Sequence, residues 1–138
     1  DKVLEMKDYA TSLLVPGANL YDYHKQVGDY ATEVLLGLGL LTQQQVDEAS
    51  ARWPAYKKYF MHGTTHHIGL DTHDVNHWHQ PLQAGMVFTV EPGLYLPEEG
   101  IGIRIEDDVV VQQAGAPKNL MANIPIQAEE IEALMNAN

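Results

Sequence analysis

Apolar residues recur at helical spacing in the first third of the chain. They predict a helix near 3–15, ended by Pro16-Gly17, with the stripe Val3, Met6, Ala10, Leu13 and Leu14. A second helix is predicted over 20–38 by the stripe Leu20, Val27, Tyr30, Ala31, Val34, Leu35 and Leu38. Thr42 followed by Gln45 indicates a capping box, which would start a third helix near 43–52.

Strand-like patterns follow in the second half of the chain. Residues 86–91 alternate, with Met86, Phe88 and Val90 on one face, and Pro92-Gly93 is expected to end this strand in a type II turn. Further strands are predicted near 61–67 and 101–111, the latter with Ile101, Ile103 and Ile105 toward the core.

A short extended piece at 124–126 and a closing helix near 128–136 complete the predicted elements. The closing helix would carry Ile131, Leu134 and Met135 on one face. Helices that precede strands predict an α+β fold with an antiparallel or mixed sheet.

Composition excludes several classes of protein. A chain of 138 residues fits a single domain, and the absence of cysteine excludes disulfides and thiolate metal sites. A net charge of −11 disfavours nucleic-acid binding, because phosphate backbones would repel the chain. No apolar run approaches the roughly 20 residues of a membrane helix. We therefore expect no nucleic-acid or membrane partner, and a cytoplasmic location.

Candidate chemistry lies in the second half, at His62, His66, His73, Glu91, Arg104 and Glu106. Glu91 ends one mostly apolar strand, and Arg104 and Glu106 share a face of another. Each carboxylate alone could be a solvated strand end, Glu106 could pair with Arg104, and the run 106–108 could be a solvated edge. His24, His77 and His79 are interpreted as surface residues, and Trp78 as a loop aromatic.

Taken together, one imidazole and two carboxylates suit a divalent ion such as Mn²⁺, Co²⁺ or Zn²⁺. Two such ions a few Å apart would activate a bridging water and polarise an amide carbonyl.

Three ordered motifs closely resemble those of the Xaa-Pro aminopeptidase and prolidase family of metallopeptidases. They are the histidine segment HGTTHHIGLDTHD at 62–74, the strand MVFTVEPGLY at 86–95 and the strand GIRIEDDVVV at 102–111. The resemblance covers nearly the whole chain. It implies the C-terminal half of a pita-bread fold, in which a curved sheet has helices on its outer face.

The resemblance also implies a role for each matched residue. His66 and Glu91 would bind one metal ion, Glu106 would bridge two ions, and Mn²⁺ is favoured over Co²⁺ or Zn²⁺. We therefore expect His66, Glu91 and Glu106 to converge within about 5 Å of a common point. His73 would stabilise the tetrahedral intermediate, His62 would line the substrate pocket, and Arg104 would hold the distal end of the substrate or order the site. The implied substrate is a peptide with proline in second position, and the wording GIGIRIEDD favours the aminopeptidase branch.

The chain departs from the family pattern at Thr65 and Thr72, beside the candidate ligands, and at Asn76. The family's two metal-binding aspartates have no counterpart, because Asp1 and Asp8 lie on the first predicted helix. Residues 1–138 are therefore expected to form a partial domain, lacking the N-terminal domain and the first half of the catalytic domain. We expect this partial domain to be inactive alone and to associate with itself. The alternatives are a metal-free, creatinase-like hydrolase and a non-catalytic fragment that acts as an interaction module.

Overall fold

The computed structural model describes residues 1–75 and 77–137. The α-helices are α1 (Lys2–Ser12), α2 (Leu20–Gly37), α3 (Gln43–Glu48) and α4 (Ala128–Met135), with short 3-10 helices at Ala55–Lys58 and Pro97–Glu99. The strands are β1 (Val87–Val90), β2 (Gly93–Leu96), β3 (Ile101–Arg104), β4 (Asp107–Val110) and β5 (Lys118–Asn119). Every strand pair in these residues is antiparallel, which agrees with the predicted α+β fold.

The helices begin where the sequence predicts. The Asn19 side chain caps α2 by accepting a hydrogen bond from the backbone N–H of Asp22 at 2.9 Å, and Thr42 and Gln45 form the predicted capping box of α3. However, α3 ends at Glu48 instead of near residue 52, and Ala49 is extended. Pro54 also disfavours helix at Trp53, so the chain cannot continue α3 into this segment.

Strands β1 to β4 form one long hairpin that breaks at the same level in both arms, and β5 pairs with the outer side of β4. In one arm β1 and β2 are separated by Glu91 and Pro92, and in the other β3 and β4 are separated by Ile105 and Glu106. On one side of the break Val90 pairs with Asp107, and on the other Gly93 pairs with Arg104. The register is therefore conserved across the break. The single predicted strand 101–111 is wrong, because it consists of β3 and β4.

The predicted strand at 61–67 is also wrong. This segment runs beside β1 through an isolated bridge between His67 and Phe88, without forming a named strand. The Thr65 hydroxyl donates a hydrogen bond to the Thr89 carbonyl. In a regular pair of strands this carbonyl would accept from a backbone N–H, so the side chain replaces one backbone hydrogen bond.

Two expectations for the hairpin are contradicted. Gly93 is not among the described residues with positive φ, so the type II turn predicted at Pro92-Gly93 is absent and the chain continues as β2. Ile101 and Ile103 do not face the core, since they are 49 % and 53 % exposed, whereas Ile105 is partly buried. Alternation alone predicts two faces of a strand and does not say which face is covered.

At the C-terminal end, α4 forms as predicted, but its apolar face is not buried: Ile131, Leu134 and Met135 are exposed. The piece at 124–126 forms no strand. The core lies where α1 and α2 meet β1 and β4, and its largest members with almost no exposure include Met6, Leu14, Tyr23, Leu35, Phe60, Phe88, Val90, Val109 and Val111. None of the helices in the described residues combines the length and hydropathy needed to cross a membrane.

Candidate metal centre

Glu91 and Glu106 lie opposite each other in the break of the hairpin. The register that pairs Val90 with Asp107 and Gly93 with Arg104 brings these two carboxylates to neighbouring positions. The Glu91 side chain is 14 % exposed and that of Glu106 is 41 % exposed. Like charges directly opposite in a sheet repel each other, so this position favours a bound cation.

His66 reaches the same place from the segment beside β1. The His66 carbonyl accepts a hydrogen bond from Thr89 N–H at 3.0 Å, and the Thr64 carbonyl accepts one from Glu91 N–H at 2.8 Å. These bonds hold the segment along β1 and bring Nε2 of His66 to 3.3 Å from Oε1 of Glu91. The segment beside β1 and the two arms of the hairpin thus each bring one side chain to the break: His66, Glu91 and Glu106 respectively.

The tautomer of His66 follows from its second nitrogen. Nδ1 lies 2.9 Å from the His67 carbonyl, which can only accept, so Nδ1 carries the proton and donates it. In the neutral ring the lone pair of Nε2 then faces the Glu91 carboxylate. Either a second proton on Nε2 or a bound cation can occupy the space between this nitrogen and the carboxylate, and metal-binding histidines are usually oriented in this way.

The donor set fits a divalent ion. One ligand atom each from His66, Glu91 and Glu106 lie within 4.8 Å of one another, and they form the one such group of three found in the described residues. Ligands on opposite sides of an ion are about 4.2 Å apart at bond lengths of about 2.1 Å, so a small closure would suffice. Nitrogen and carboxylate oxygen without sulfur suit Mn²⁺, Co²⁺ or Zn²⁺. The predicted clustering is present in the structure, and the metal-binding role stays a prediction.

His73 and Arg104 flank this group. The ring centroids of His73 and His66 are 4.3 Å apart, so the exposed His73 imidazole lies beside the donors without belonging to their group. Arg104 Nε lies 4.0 Å from Glu106 Oε2, and both side chains are largely exposed. A pair of this kind contributes little to stability, which leaves the guanidinium available for another anion.

His62 has a partner that the sequence interpretation missed. Its Nδ1 lies 2.7 Å from the Gly63 carbonyl and its Nε2 lies 2.8 Å from the Tyr95 hydroxyl. Because the carbonyl fixes the proton on Nδ1, Tyr95 donates its hydroxyl proton to Nε2. Tyr95 lies four residues after Glu91 within the same motif, and a period of two along the strand could have indicated a shared face.

The ring of Tyr95 needs two glycines. A Cβ at Gly93 would lie 2.8 Å from the Tyr95 hydroxyl oxygen, and one at Gly102 would lie 2.9 Å from Cδ1 of the ring. Gly102 is the cross-strand partner of Tyr95 in the hairpin of β2 and β3. Glycine at both positions therefore lets the ring lie flat on the hairpin and reach His62.

Three other sequence interpretations are settled by burial. Asp107 is 2 % exposed, so the run 106–108 is not a solvated edge. His77 and His79 are exposed as predicted. His24 is not a surface residue: it is partly buried, its ring stacks on Trp78 with centroids 5.2 Å apart, and its Nε2 has no hydrogen-bond partner among the described residues. Burial, with a contribution from Lys57, lowers the pKa of His24 to about 4.

Comparison with known proteins identifies the class. The model of metallopeptidase family M24 matches residues 1–113, so the chain belongs to this family. The chain is 43 % identical to Xaa-Pro aminopeptidase of Escherichia coli over 99 % of its own length and 33 % of that protein. It is 35 % identical to human Xaa-Pro aminopeptidase 3 over 97 % of its own length and 28 % of that protein.

Solved structures give the same result. Aminopeptidase PepP of Pseudomonas aeruginosa is 40 % identical with a TM-score of 0.85, and the match covers 98 % of this chain and 33 % of that one. Zinc-substituted E. coli aminopeptidase P in complex with product is 39 % identical with a TM-score of 0.82, over the same shares of the two chains. These neighbours confirm the pita-bread fold predicted from the motifs. The chain spans about a third of the length of the relatives it matches.

Proposed function

We propose that this chain contributes to the active site of a metal-dependent Xaa-Pro aminopeptidase, which hydrolyses the peptide bond before a proline in second position. The observation that carries the proposal is the group of donors from His66, Glu91 and Glu106 within 4.8 Å of one another. It occurs in a member of a metallopeptidase family whose relatives include Xaa-Pro aminopeptidases.

His66, Glu91 and Glu106 would hold the metal. In the complete site we propose two divalent ions, with Mn²⁺ preferred, which when bound would polarise the scissile carbonyl and lower the pKa of a water molecule. The chain's own contribution is orientation: the His67 carbonyl keeps the proton of His66 on Nδ1 and leaves Nε2 free to ligate. The opposed carboxylates of Glu91 and Glu106 concentrate negative charge where cations are needed.

The flanking residues would handle the substrate. His73, beside His66, would donate a hydrogen bond to the oxygen that becomes negative in the transition state. His62 would line the pocket for the substrate, held in place by Tyr95, and Arg104 would hold the distal end of the substrate or order the site.

Residues 1–138 alone are proposed to be incompetent as a peptidase. Three donors can hold one ion, but a pair of ions needs further negative ligands, which the family resemblance assigns to two aspartates upstream of α1. The exposed Ile101 and Ile103 favour association with other protein surface, and we propose a homo-oligomer for the complete protein. A cytoplasmic location is also part of the proposal.

The test is to purify the complete gene product, measure its metal content and assay Ala-Pro-Ala against Ala-Ala-Ala with and without added Mn²⁺. We expect metal-dependent cleavage of the first peptide only. Full activity without any stoichiometric transition metal would instead favour the creatinase-like alternative. If neither peptide is hydrolysed with or without added metal, the result would favour the non-catalytic interaction module.

A further inference from the structure

A groove of about 820 Å³ lies between α2 and the segment at 49–57, and it reaches residues 62–64. Its volume falls in the range of about 300–1,000 Å³ that is typical of ligand pockets. Thr64 lines this end of the groove, and its carbonyl accepts a hydrogen bond from the Glu91 N–H at 2.8 Å, so the groove ends beside the candidate metal centre.

The uncompensated charges in this groove are positive. Lys25 is compensated by Asp29, with Nζ and Oδ2 2.7 Å apart. Arg52 and Lys57 also line the groove, and neither forms an ion pair with any residue of the described ranges 1–75 and 77–137. In a chain of net charge −11, two uncompensated cations in one groove indicate an anionic ligand.

Lys57 is held toward the groove by aromatic rings. Its Nζ lies 5.5 Å from the ring centroid of Trp53 and 5.8 Å from that of Tyr56. Tyr56 in turn packs closely against Gly28 of α2, where a Cβ would come within 2.7 Å of its ring. The half-buried ammonium therefore has a defined place in the groove wall.

The opposite wall, on α2, carries aromatic side chains beside the compensated pair of Lys25 and Asp29. Tyr21 and His24 of α2 both contact Trp78, with ring centroids 5.6 Å and 5.2 Å away. His24 also approaches residues 62–64, since a Cβ at Gly63 would lie 3.6 Å from its Cε1. A neutral imidazole beneath Trp78 continues the wall from α2 to His62 and adds no positive charge of its own.

We propose that this groove binds the part of the peptide substrate downstream of the scissile bond, with the peptide's C-terminal carboxylate against Arg52 and Lys57. The inference rests on the proposed function and deepens it. A peptide carries its positive charge at the amino terminus and its negative charge at the carboxyl terminus. Cleavage after the first residue takes place at the proposed metal centre, so the carboxyl terminus lies further along the groove, where Arg52 and Lys57 supply the opposite charge.

The complete gene product is assayed on three substrates: Ala-Pro-Ala-Ala with a free carboxylate, the same peptide with a C-terminal amide, and Ala-Pro-amide. We expect KM for the free acid to be about fivefold lower than for the amide, as a partly exposed ion pair allows. In R52Q/K57Q this preference should vanish, while kcat and the hydrolysis of Ala-Pro-amide stay unchanged. The matched control is K58Q, because Lys58 is adjacent in sequence but lies 3.5 Å from Glu98 and does not line the groove.

Equal KM values for acid and amide in the wild type would overturn the assignment of the groove. An unchanged preference in R52Q/K57Q would do the same, and a preference lost equally in K58Q would show a nonspecific effect of charge and also overturn it. Failure of the wild type to cleave any of the three substrates would overturn the proposed function and this inference with it. The two failures are therefore distinguishable.

Discussion

Lys7 of α1 and Asp107 of β4 form a buried ion pair with Nζ and Oδ2 2.6 Å apart, although 100 residues separate them in the sequence. Their side chains are only 6 % and 2 % exposed. The amide of Asn119 also donates to the same carboxylate oxygen at 2.8 Å. Because Asp107 follows Glu106 directly, this pair fixes the start of β4 and with it the position of a proposed metal ligand.

Lys7→Met should destabilise the protein by about 3–5 kcal/mol, since it leaves a buried carboxylate without its cation. The measurement is the free energy of unfolding in urea. Lys2→Met is the matched control on the same helix, because the pair of Lys2 and Glu5 is about half exposed and should contribute less than about 1 kcal/mol. Equal effects of the two substitutions would contradict a structural role for the buried pair.

Glu106→Gln should raise the stability of the protein in the absence of metal and lower it, relative to the wild type, when metal is bound. Without metal it should stabilise the protein by about 0.2–1 kcal/mol, because it removes a carboxylate opposite Glu91. With saturating Mn²⁺ the wild type should be the more stable of the two, since ligand binding stabilises the folded state. Thermal unfolding of both proteins in EDTA and in Mn²⁺ tests this crossover. The same ranking under both conditions would argue against shared metal binding by these two glutamates.

His73→Ala should lower kcat by about 10²–10³-fold while the metal content stays that of the wild type. The reason is that its imidazole lies beside the donor group, 4.3 Å from the His66 ring, without being one of the donors. His79→Ala is a suitable control, because His79 is exposed and contacts only Tyr21 among the described aromatic rings. Wild-type turnover in the His73 variant would refute its catalytic role.

Acid should destabilise the protein through His24. Burial lowers its folded pKa to about 4, below the ordinary value of 6.5, so protonation favours the unfolded chain. Its contribution to stability is therefore present above about pH 6.5 and is lost as pH falls toward 4, by about 1–2 kcal/mol between pH 7 and pH 5. Urea unfolding of the wild type and of His24→Phe at both pH values measures this loss. A pH dependence that is unchanged by the substitution would exclude His24 as its source.

The sequence predicts local features well and tertiary placement less well. The cap of α3 and the start of α2 depend on neighbouring residues, and both form as predicted. The break at Ile105 and Glu106 is not visible in the pattern of residues 101–111, because it is matched to Glu91 and Pro92 in the other arm of the hairpin. The motifs predicted the clustering of His66, Glu91 and Glu106, whereas the contact of Tyr95 with His62 and the burial of His24 arise only when distant segments meet.

The most direct test of the metal centre is elemental analysis of the complete gene product, purified after dialysis against Mn²⁺, for the wild type and for His66→Ala, Glu91→Ala and Glu106→Ala. The wild type should bind Mn²⁺ stoichiometrically and cleave Ala-Pro-Ala, because the three donors lie within 4.8 Å of one another. Each variant should lose bound metal, and Glu106→Ala should also lose all activity. Stoichiometric metal together with wild-type turnover in the Glu106→Ala variant would contradict the assignment of His66, Glu91 and Glu106 as a metal centre.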